Sequence, residues 1–304
     1  MPIQVNDKKW ILYRHTNNLD IVQAVAVNLH SYSNSNISNS EKKKLNNRLR
    51  ELDYYKERNP DLPLDAINHK INTLAYFMIG HKATVDRKKR FLFSPLGKIM
   101  LENFDDSEKS AKIFLTQLFA VQFPHPHGGT PHNFRLYPYR LIMHLLQEGR
   151  IDYKLYSLEI TMILVFIEEI NFSSYELLVT ELLAFRKLTV QDKVKRLKSK
   201  HHAHVNAYYE WDYYQSKLFV SAGVLEKFIG PVIHKMKHGK ATTRNIKDSY
   251  VQLDPKIRTY CQALLAKHSP FKSPLRLDDP TRLEADVIKE IYSFIPDELF
   301  DEIG

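Results

Sequence analysis

The stretch LDAINHKINTLAYFMIGHKATVDRKKRFLF, residues 64–93, changes its hydrophobic pattern at Gly80. Before this glycine, apolar residues recur on one face at helical spacing, which predicts a helix over 64–79. The residues of that face are Ile67, Ile71, Leu74, Ala75 and Met78. Gly80 is well placed to end the helix. A basic tip at 87–90 and an extended apolar segment follow, which indicates a strand, a turn and a second strand.

Two further helices are predicted before this stretch, an apolar one over 19–29 and a charged one over 41–58 that Ser40 can cap. Three helices and a basic strand–turn–strand are the layout of a winged helix, in which the third helix enters the major groove and the wing holds the backbone. We therefore expect a first winged-helix-like subdomain over 1–110. The polar outer face of its third helix contains Asn68, His69, Lys70 and Asn72, and it is either a base-reading face or an ordinary solvated one.

The second half of the chain repeats this order. Helices are expected at about 112–120, 139–148, 155–170 and 175–187, and the basic run KVKRLKSKHHAH precedes an aromatic helix. A basic loop, a short strand at about 250–253 and another helix follow. We expect a second winged-helix-like subdomain over 111–269. Residues 270–304 are read as a Pro-rich linker and the start of a missing C-terminal region. The predicted fold class is mainly α with small β wings.

The net charge of +9 and the pI of about 9.3 favour a polyanionic partner, although a basic surface can also serve solubility alone. Basic and aromatic residues alternate in four patches, at 8–15, 86–93, 134–140 and 200–211. The N-terminus has no apolar signal segment, and the longest apolar run, ITMILVF, is far shorter than the ~20 residues of a membrane span. We expect a cytoplasmic protein with no membrane partner.

The sequence offers no convincing catalytic site. Its single cysteine, Cys261, can form neither an intrachain disulfide nor a cysteine-based zinc site, and no Gly-rich phosphate loop or GxSxG motif is present. The loop histidines His125, His127 and His132 have no carboxylate or thiol beside them to complete a zinc site. The side chains of Asp212, Gln215 and Lys217 are of the types that metal-dependent nucleases use. Asp212 is only three residues before Gln215, however, which leaves no strand hairpin between the acid and the Gln–Lys pair. We predict neither catalytic nor metal-binding residues.

The ordered set of motifs resembles the DNA-recognition region of the AlwI-type restriction endonucleases and their related nicking enzymes, and also the recognition domain of BpuJI. The stretches that carry this resemblance are FLFSPLGKIMLEN at 91–103, KIFLTQLFAVQFPHP at 112–126, YPYRLIMHLLQE at 137–148, ELLAFRKL at 181–188 and ATTRNIKDSYVQLDP at 241–255. The resemblance implies sequence-specific recognition of double-stranded DNA within a type IIS-like restriction endonuclease. In that family a separate C-terminal domain cuts with magnesium, and this chain ends before such a domain, so no cofactor is expected here.

These interpretations give two sets of candidate contacts on a recognition unit expected to be monomeric. The expected contacts to the DNA backbone are Lys8, Lys9, Arg14, Arg87, Lys88, Lys89, Arg90, Lys198, Lys200, Lys240 and Arg244. Besides the outer face of the third helix, the expected base-reading residues are Gln122, His125, His127, Arg135, His204, Asn206 and Tyr208. Three alternatives stay open: a stand-alone winged-helix regulator, a self-contained metallonuclease using Asp212, Gln215 and Lys217 or the histidines, and an RNA-binding protein.

Overall fold

The computed structural model describes residues 3–52, 64–127, 133–238 and 242–304. The protein is mainly α with small antiparallel sheets, as the sequence predicts. Its N-terminal elements are α1 (Leu19–Ser31), α2 (Asn39–Glu51), α3 (Asp65–Tyr76), β1 (Gly80–Val85), β2 (Lys88–Phe93), α4 (Pro95–Glu102) and α5 (Ser107–Ala120). Side chains cap several of these helices: Asn18 accepts from Asp20 N at α1, and Ser38, rather than the predicted Ser40, accepts from Glu41 N at α2.

The predicted strand–turn–strand after α3 is present as the hairpin β1–β2. Gly80 does not end the helix, because α3 already ends at Tyr76 and Gly80 is the first residue of β1. A Cβ at Gly80 would lie 2.3 Å from the carbonyl oxygen of Leu92, so the close approach of β2 requires glycine here. Asp86 and Arg87 have positive φ angles and form the tight turn at the tip.

The middle of the chain contains α6 (Pro138–Leu145), β3 (Leu155–Tyr156), α7 (Ser157–Met162), α8 (Phe172–Arg186), α9 (Val190–Ser199) and α10 (His201–Tyr209). A π-helical turn, Glu210–Gln215, joins α10 to α11 (Ser216–Ser221). The prediction of one helix over 155–170 is wrong, because Leu155 and Tyr156 pair as a strand with Val251 and Tyr250, and only Ser157–Met162 is α-helical. The apolar run is buried on all sides, so its periodicity could not separate strand from helix.

The remaining elements are β4 (Leu225–Phe228), β5 (Val232–His238), β6 (Thr242–Lys247), β7 (Tyr250–Leu253), α12 (Arg258–Lys267), α13 (Glu284–Tyr292) and α14 (Asp297–Ile303). The predicted strand at 250–253 is confirmed. β5 and β6 form a long hairpin, and a three-stranded sheet has the order β3–β7–β4. Among the described residues, no helix is long and apolar enough to cross a membrane.

The buried apolar side chains form one cluster that extends from Trp10 to Ile303. Residues predicted to be linker and missing-domain start contribute to it, since α13 and α14 bury Val287, Ile291 and Leu299. The Tyr292 hydroxyl donates to the carbonyl of Ala75 at the end of α3, over 2.8 Å. Helix α13 therefore packs onto the helix that the sequence predicts to read bases. The predicted domain boundaries stay a prediction.

Candidate nucleic-acid interface

The outer face of α3 presents half-buried polar side chains, as the sequence predicts. His69 lies 3.2 Å from the Asp65 carboxylate, and its ring stacks on the ring of His15 with 3.6 Å between centroids. Asn72 accepts a hydrogen bond from Lys82 of β1. The ammonium of Lys70 donates a hydrogen bond to the carbonyl of His15 over 2.9 Å. This face therefore joins α3 to the N-terminal segment and to the hairpin.

The stacked imidazole His15 has a pKa lowered to about 4. Burial is the main cause, and the charges of His69, Arg14 and Lys70 add to it. A neutral imidazole offers one N–H donor and one acceptor nitrogen. At neutral pH His15 therefore adds a neutral hydrogen-bonding group, not a charge, to this surface.

Three lysines from separate elements lie together beside α3, and we call Lys42 of α2, Lys82 of β1 and Lys89 of β2 the lysine cluster. Lys82 pairs with Phe91 and Lys89 pairs with Thr84, so both side chains leave the same face of the hairpin. Burial and the charge of Lys89 lower the pKa of Lys42. Burial and the charge of Lys42 lower the pKa of Lys82.

No carboxylate among the described residues forms an ion pair with any member of the lysine cluster. Three like charges without a counter-ion destabilise one another, and an anion placed among them would relieve this repulsion. His127 lies close enough that the charge of Lys82 contributes, after burial, to lowering its pKa to about 4. The structure therefore brings His127, from the loop, to the same place as the hairpin lysines.

The second candidate surface lies where the α10–α11 helix meets the β5–β6 hairpin. The rings of Tyr209 and Tyr213 stack with centroids 5.4 Å apart and planes 13° apart. The guanidinium of Arg244 lies 4.4 Å from the Tyr209 ring, and the ammonium of Lys217 lies 4.6 Å from the Tyr213 ring. We call these four residues the tyrosine ladder, and they line a cleft of about 360 Å³.

Glu210, at the start of the π-helical turn, pairs with two of the predicted backbone contacts. Its buried carboxylate pairs with Lys9 and lies 3.6 Å from the guanidinium of Arg14. Burial raises the pKa of Glu210, and the charge of Lys9 opposes this shift. Lys9 is therefore partly neutralised within the protein, whereas the side chain of Arg14 is still 51% exposed.

The other predicted backbone contacts have varied surroundings. Lys8, Arg87, Lys88 and Lys198 are exposed. Lys200 pairs with Asp7 over 3.0 Å, and Arg90 donates to the carbonyl of Asn34 over 3.4 Å. Lys240 lies outside the described residues, as does His132 of the loop.

Four base-reading candidates are buried, and their polar atoms bond within the protein. Gln122 exchanges hydrogen bonds with the backbone of Leu275, and Tyr208 does so with Lys247. His204 lies 3.2 Å from the carbonyl oxygen of Leu197. His125 lies 2.9 Å from the carbonyl oxygen of Tyr76 and accepts from the His127 amide. Burial lowers the pKa of His125 to about 3, so it stays neutral at physiological pH.

The remaining base-reading candidates are accessible. Asn68 and His127 are half-buried, and Arg135 is exposed. Asn206 is half-buried and lies 2.6 Å from the Nδ1 atom of His202, on the outer side of α10.

The nuclease-like trio does not converge on one site. Asp212 pairs with Lys227 over 2.7 Å, Gln215 accepts from the Tyr139 hydroxyl over 3.0 Å, and Lys217 lies on Tyr213. Within the described residues, no group of three or more histidine, cysteine or acidic side chains is arranged to hold a metal ion. These side chains serve packing and ion pairing.

Sequence reasoning did not propose Lys42, Lys82, Tyr209, Tyr213 or Lys217 as DNA contacts. A usable signal exists for the last three, because His202, Asn206, Tyr209, Tyr213 and Lys217 recur at helical spacing. Choosing His204 and Tyr208 instead selected the buried side of the same helix. For Lys42 no such signal exists, since only tertiary packing brings α2 to the hairpin.

Comparison with known proteins gives two consistent matches. The family model described as the N-terminal domain of the type II restriction endonuclease HgaI matches residues 5–268. The type II restriction enzyme HgaI of Avibacterium volantium is 35% identical over 308 residues, covering 98% of this chain. The chain spans 63% of the length of that relative.

Proposed function

The chain belongs to the family of the N-terminal domain of the type II restriction endonuclease HgaI, and we propose that it recognises a specific sequence in double-stranded DNA. The observation that carries the proposal is the lysine cluster beside the polar face of α3. Cations with no carboxylate partner among the described residues, next to half-buried hydrogen-bonding side chains, suit a duplex, because phosphates need charge and base edges need donors and acceptors.

Strand order supports two winged-helix-like units. Between α1 and α2, the backbone at Ser35 and Ile37 hydrogen-bonds to Phe91 and Lys89 of β2, so this segment lies beside β2 and not β1. In the second half, β3 likewise pairs with the later strand β7, and β7 pairs with β4. Both units therefore have a short first strand beside the last strand, which fits a shared architecture in which α3 and the α10–α11 helix correspond.

The accessible candidates take the following roles in this proposal. Bases are read by the outer faces of α3 and of the α10–α11 helix, together with the loop: Asn68, His69, Asn72, His127, Arg135, Asn206 and Tyr213. Phosphates are held by cations of the N-terminal segment, α2, the β1–β2 hairpin, α9 and α11: Lys8, Arg14, Lys42, Lys82, Arg87, Lys88, Lys89, Arg90, Lys198 and Lys217.

We propose that DNA is cleaved by a region of the restriction enzyme other than the one that this chain represents. The chain spans 63% of its relative, and within the described residues Asp212, Gln215 and Lys217 have separate structural partners. A type IIS-like cut beside the recognised site, made with magnesium by another region, is part of this proposal, as is the likeness to AlwI-type and BpuJI recognition regions.

Competition between nucleic acids tests the proposed partner. The 304-residue chain is bound to a labelled DNA duplex at physiological salt without added metal, and unlabelled DNA or RNA duplexes, or single strands, are added. We expect DNA duplexes to compete more strongly, since A-form RNA hides its major groove. Equal or stronger competition by RNA would favour the RNA-binding alternative. Cleavage of a plasmid by this chain with magnesium would contradict the placement of cleavage elsewhere.

A further inference from the structure

Arg244 has surroundings that a simple phosphate contact does not require. Its guanidinium lies 4.4 Å from the Tyr209 ring and 5.8 Å from the Tyr213 ring. Stacking on an aromatic face fixes the plane of a guanidinium and reduces the entropy lost when it binds. The rings of Tyr209 and Tyr213 therefore hold Arg244 in a defined orientation before any ligand binds.

The side-chain donors of Arg244 are not used by any described residue. Its Nε atom is buried and has no hydrogen-bond partner, and within the described part of the chain no ion pair or hydrogen bond uses this side chain. An unmade bond from a buried donor costs free energy. The protein thus keeps a planar, oriented set of donors free beside the cleft.

The side chain of Arg244 lies against the α10–α11 helix and not at the tip of the β5–β6 hairpin. On β6 it pairs with Met236 of β5, while Thr242 and His238 pair nearer the turn. Its guanidinium reaches back to Tyr209, which shares the outer side of the α10–α11 helix with Asn206 and Tyr213. When such a helix lies in the major groove, a group on this side meets base edges before the sugar–phosphate strands.

We propose that Arg244 reads a guanine base in the major groove and that Tyr209 is its positioning residue, an inference that rests on the proposed function. Guanine presents two acceptors, O6 and N7, that match the planar fork of arginine. A phosphate needs only charge, and Lys217 supplies that on the neighbouring ring. This assignment replaces the sequence-based expectation that Arg244 contacts the DNA backbone.

Replacing Arg244 by lysine distinguishes guanine reading from phosphate binding, because lysine keeps the positive charge and loses the planar, forked set of donors. Bound sites are selected from a random duplex pool by the wild-type chain and by Arg244→Lys, and affinities are measured for the selected site, its single-base variants and an unrelated duplex. We expect one guanine preference to disappear and affinity for the selected site to fall roughly 5- to 150-fold. Affinity for the unrelated duplex should change by less than about twofold, which also shows that the variant is folded.

Two further comparisons complete the test. Tyr209→Leu should relax the same guanine, whereas Tyr209→Phe, which keeps the ring, should retain the preference. Lys217→Ala, which removes the proposed phosphate contact on the neighbouring ring, should weaken binding to all sequences alike. If the wild-type chain selects a site but Arg244→Lys loses affinity for all sequences equally, or loses none, the guanine assignment alone is overturned. A wild-type chain that selects no site would overturn the proposed function and this assignment with it.

Discussion

At the scale of single residues, the partners of a cation matter more than its presence in a basic run. Lys9 and Lys200 lie in sequence patches predicted to contact DNA, yet each pairs with an acidic residue, Glu210 and Asp7. Lys42 and Lys82 were not predicted, yet they have no carboxylate partner among the described residues and repel each other. The sequence shows where positive charge is dense, but only the fold shows which charges are already compensated.

Lys42→Ala tests this distinction against Lys44→Ala on the same helix. Lys44 is paired with Glu41 over 2.8 Å, whereas Lys42 belongs to the lysine cluster. We expect Lys42→Ala to weaken binding to all duplexes and to reduce the salt slope of log affinity by about 1. Its free energy of unfolding should stay within about 0.5 kcal/mol of wild type, because like-charge repulsion is also removed. Equal binding losses in the two variants would contradict the proposed role of the cluster.

Acid sensitivity is a second prediction at this scale. The pKa of His125 is lowered to about 3, below its usual value near 6.5. As the pH falls below 6.5, the unfolded chain takes up a proton that the folded chain refuses, so stability is present above this pH and lost toward pH 3. Between pH 7 and pH 5 this histidine should cost about 2 kcal/mol.

His125→Gln retains a donor for the Tyr76 carbonyl and cannot titrate. Urea unfolding at both pH values should show a smaller acid-induced loss for this variant than for wild type, by about 2 kcal/mol. The same loss in both proteins would show that His125 is not the group responsible. Other histidines with lowered pKa values, such as His15 and His127, should leave some acid sensitivity in the variant.

At the scale of elements, a buried chain of hydroxyls links the two proposed reading helices. The Tyr76 hydroxyl at the end of α3 lies 2.9 Å from the Tyr139 hydroxyl of α6, and Tyr139 donates to Gln215 in the π-helical turn. The Nε2 atom of Gln215 already lacks a partner. The orientation of the α10–α11 helix relative to α3 therefore depends on this connection.

Tyr139→Phe removes the donor to Gln215 and leaves its carbonyl oxygen buried. We expect the free energy of unfolding to fall by about 1–3 kcal/mol. Tyr32→Phe, an exposed position that follows α1, is the control and should change it by less than about 0.5 kcal/mol. Chemical denaturation followed by fluorescence makes the comparison. A Tyr139→Phe variant as stable as the control would show that the connection contributes little.

A clear apolar face made helices α1 and α3 and strand β7 predictable from sequence, and α5 was predicted although its residues 113–120 are all buried. These elements follow from local patterns. The 155–170 region does not, because its strand forms only by pairing with residues nearly a hundred positions later, Tyr250 and Val251. The helix α10–α11 was predicted, but most of its exposed side was not. The π-helical turn Glu210–Gln215 also changes the spacing at which residues recur on the exposed side.

At the scale of the whole molecule, the net charge predicts a polyanionic partner but not its place on the surface. Acidic residues of the C-terminal helices pair with some of the cations, Glu302 with Lys112 and Glu298 with Lys267. The preceding helix, α13, packs on α3 through Tyr292, so residues expected to lie in the linker and missing C-terminal region instead support the proposed reading helix. This long-range contact has no local sequence signal.

The central claim is that this chain reads duplex sequence without metal, and the most direct test is selection of bound sites from a random DNA pool. The chain is used at physiological salt with a chelator present, and bound duplexes are sequenced over successive rounds. We predict enrichment of a single short site, bound at least about a thousandfold more tightly than unrelated DNA. Retention of DNA without enrichment would reveal a non-specific basic protein and would contradict the account.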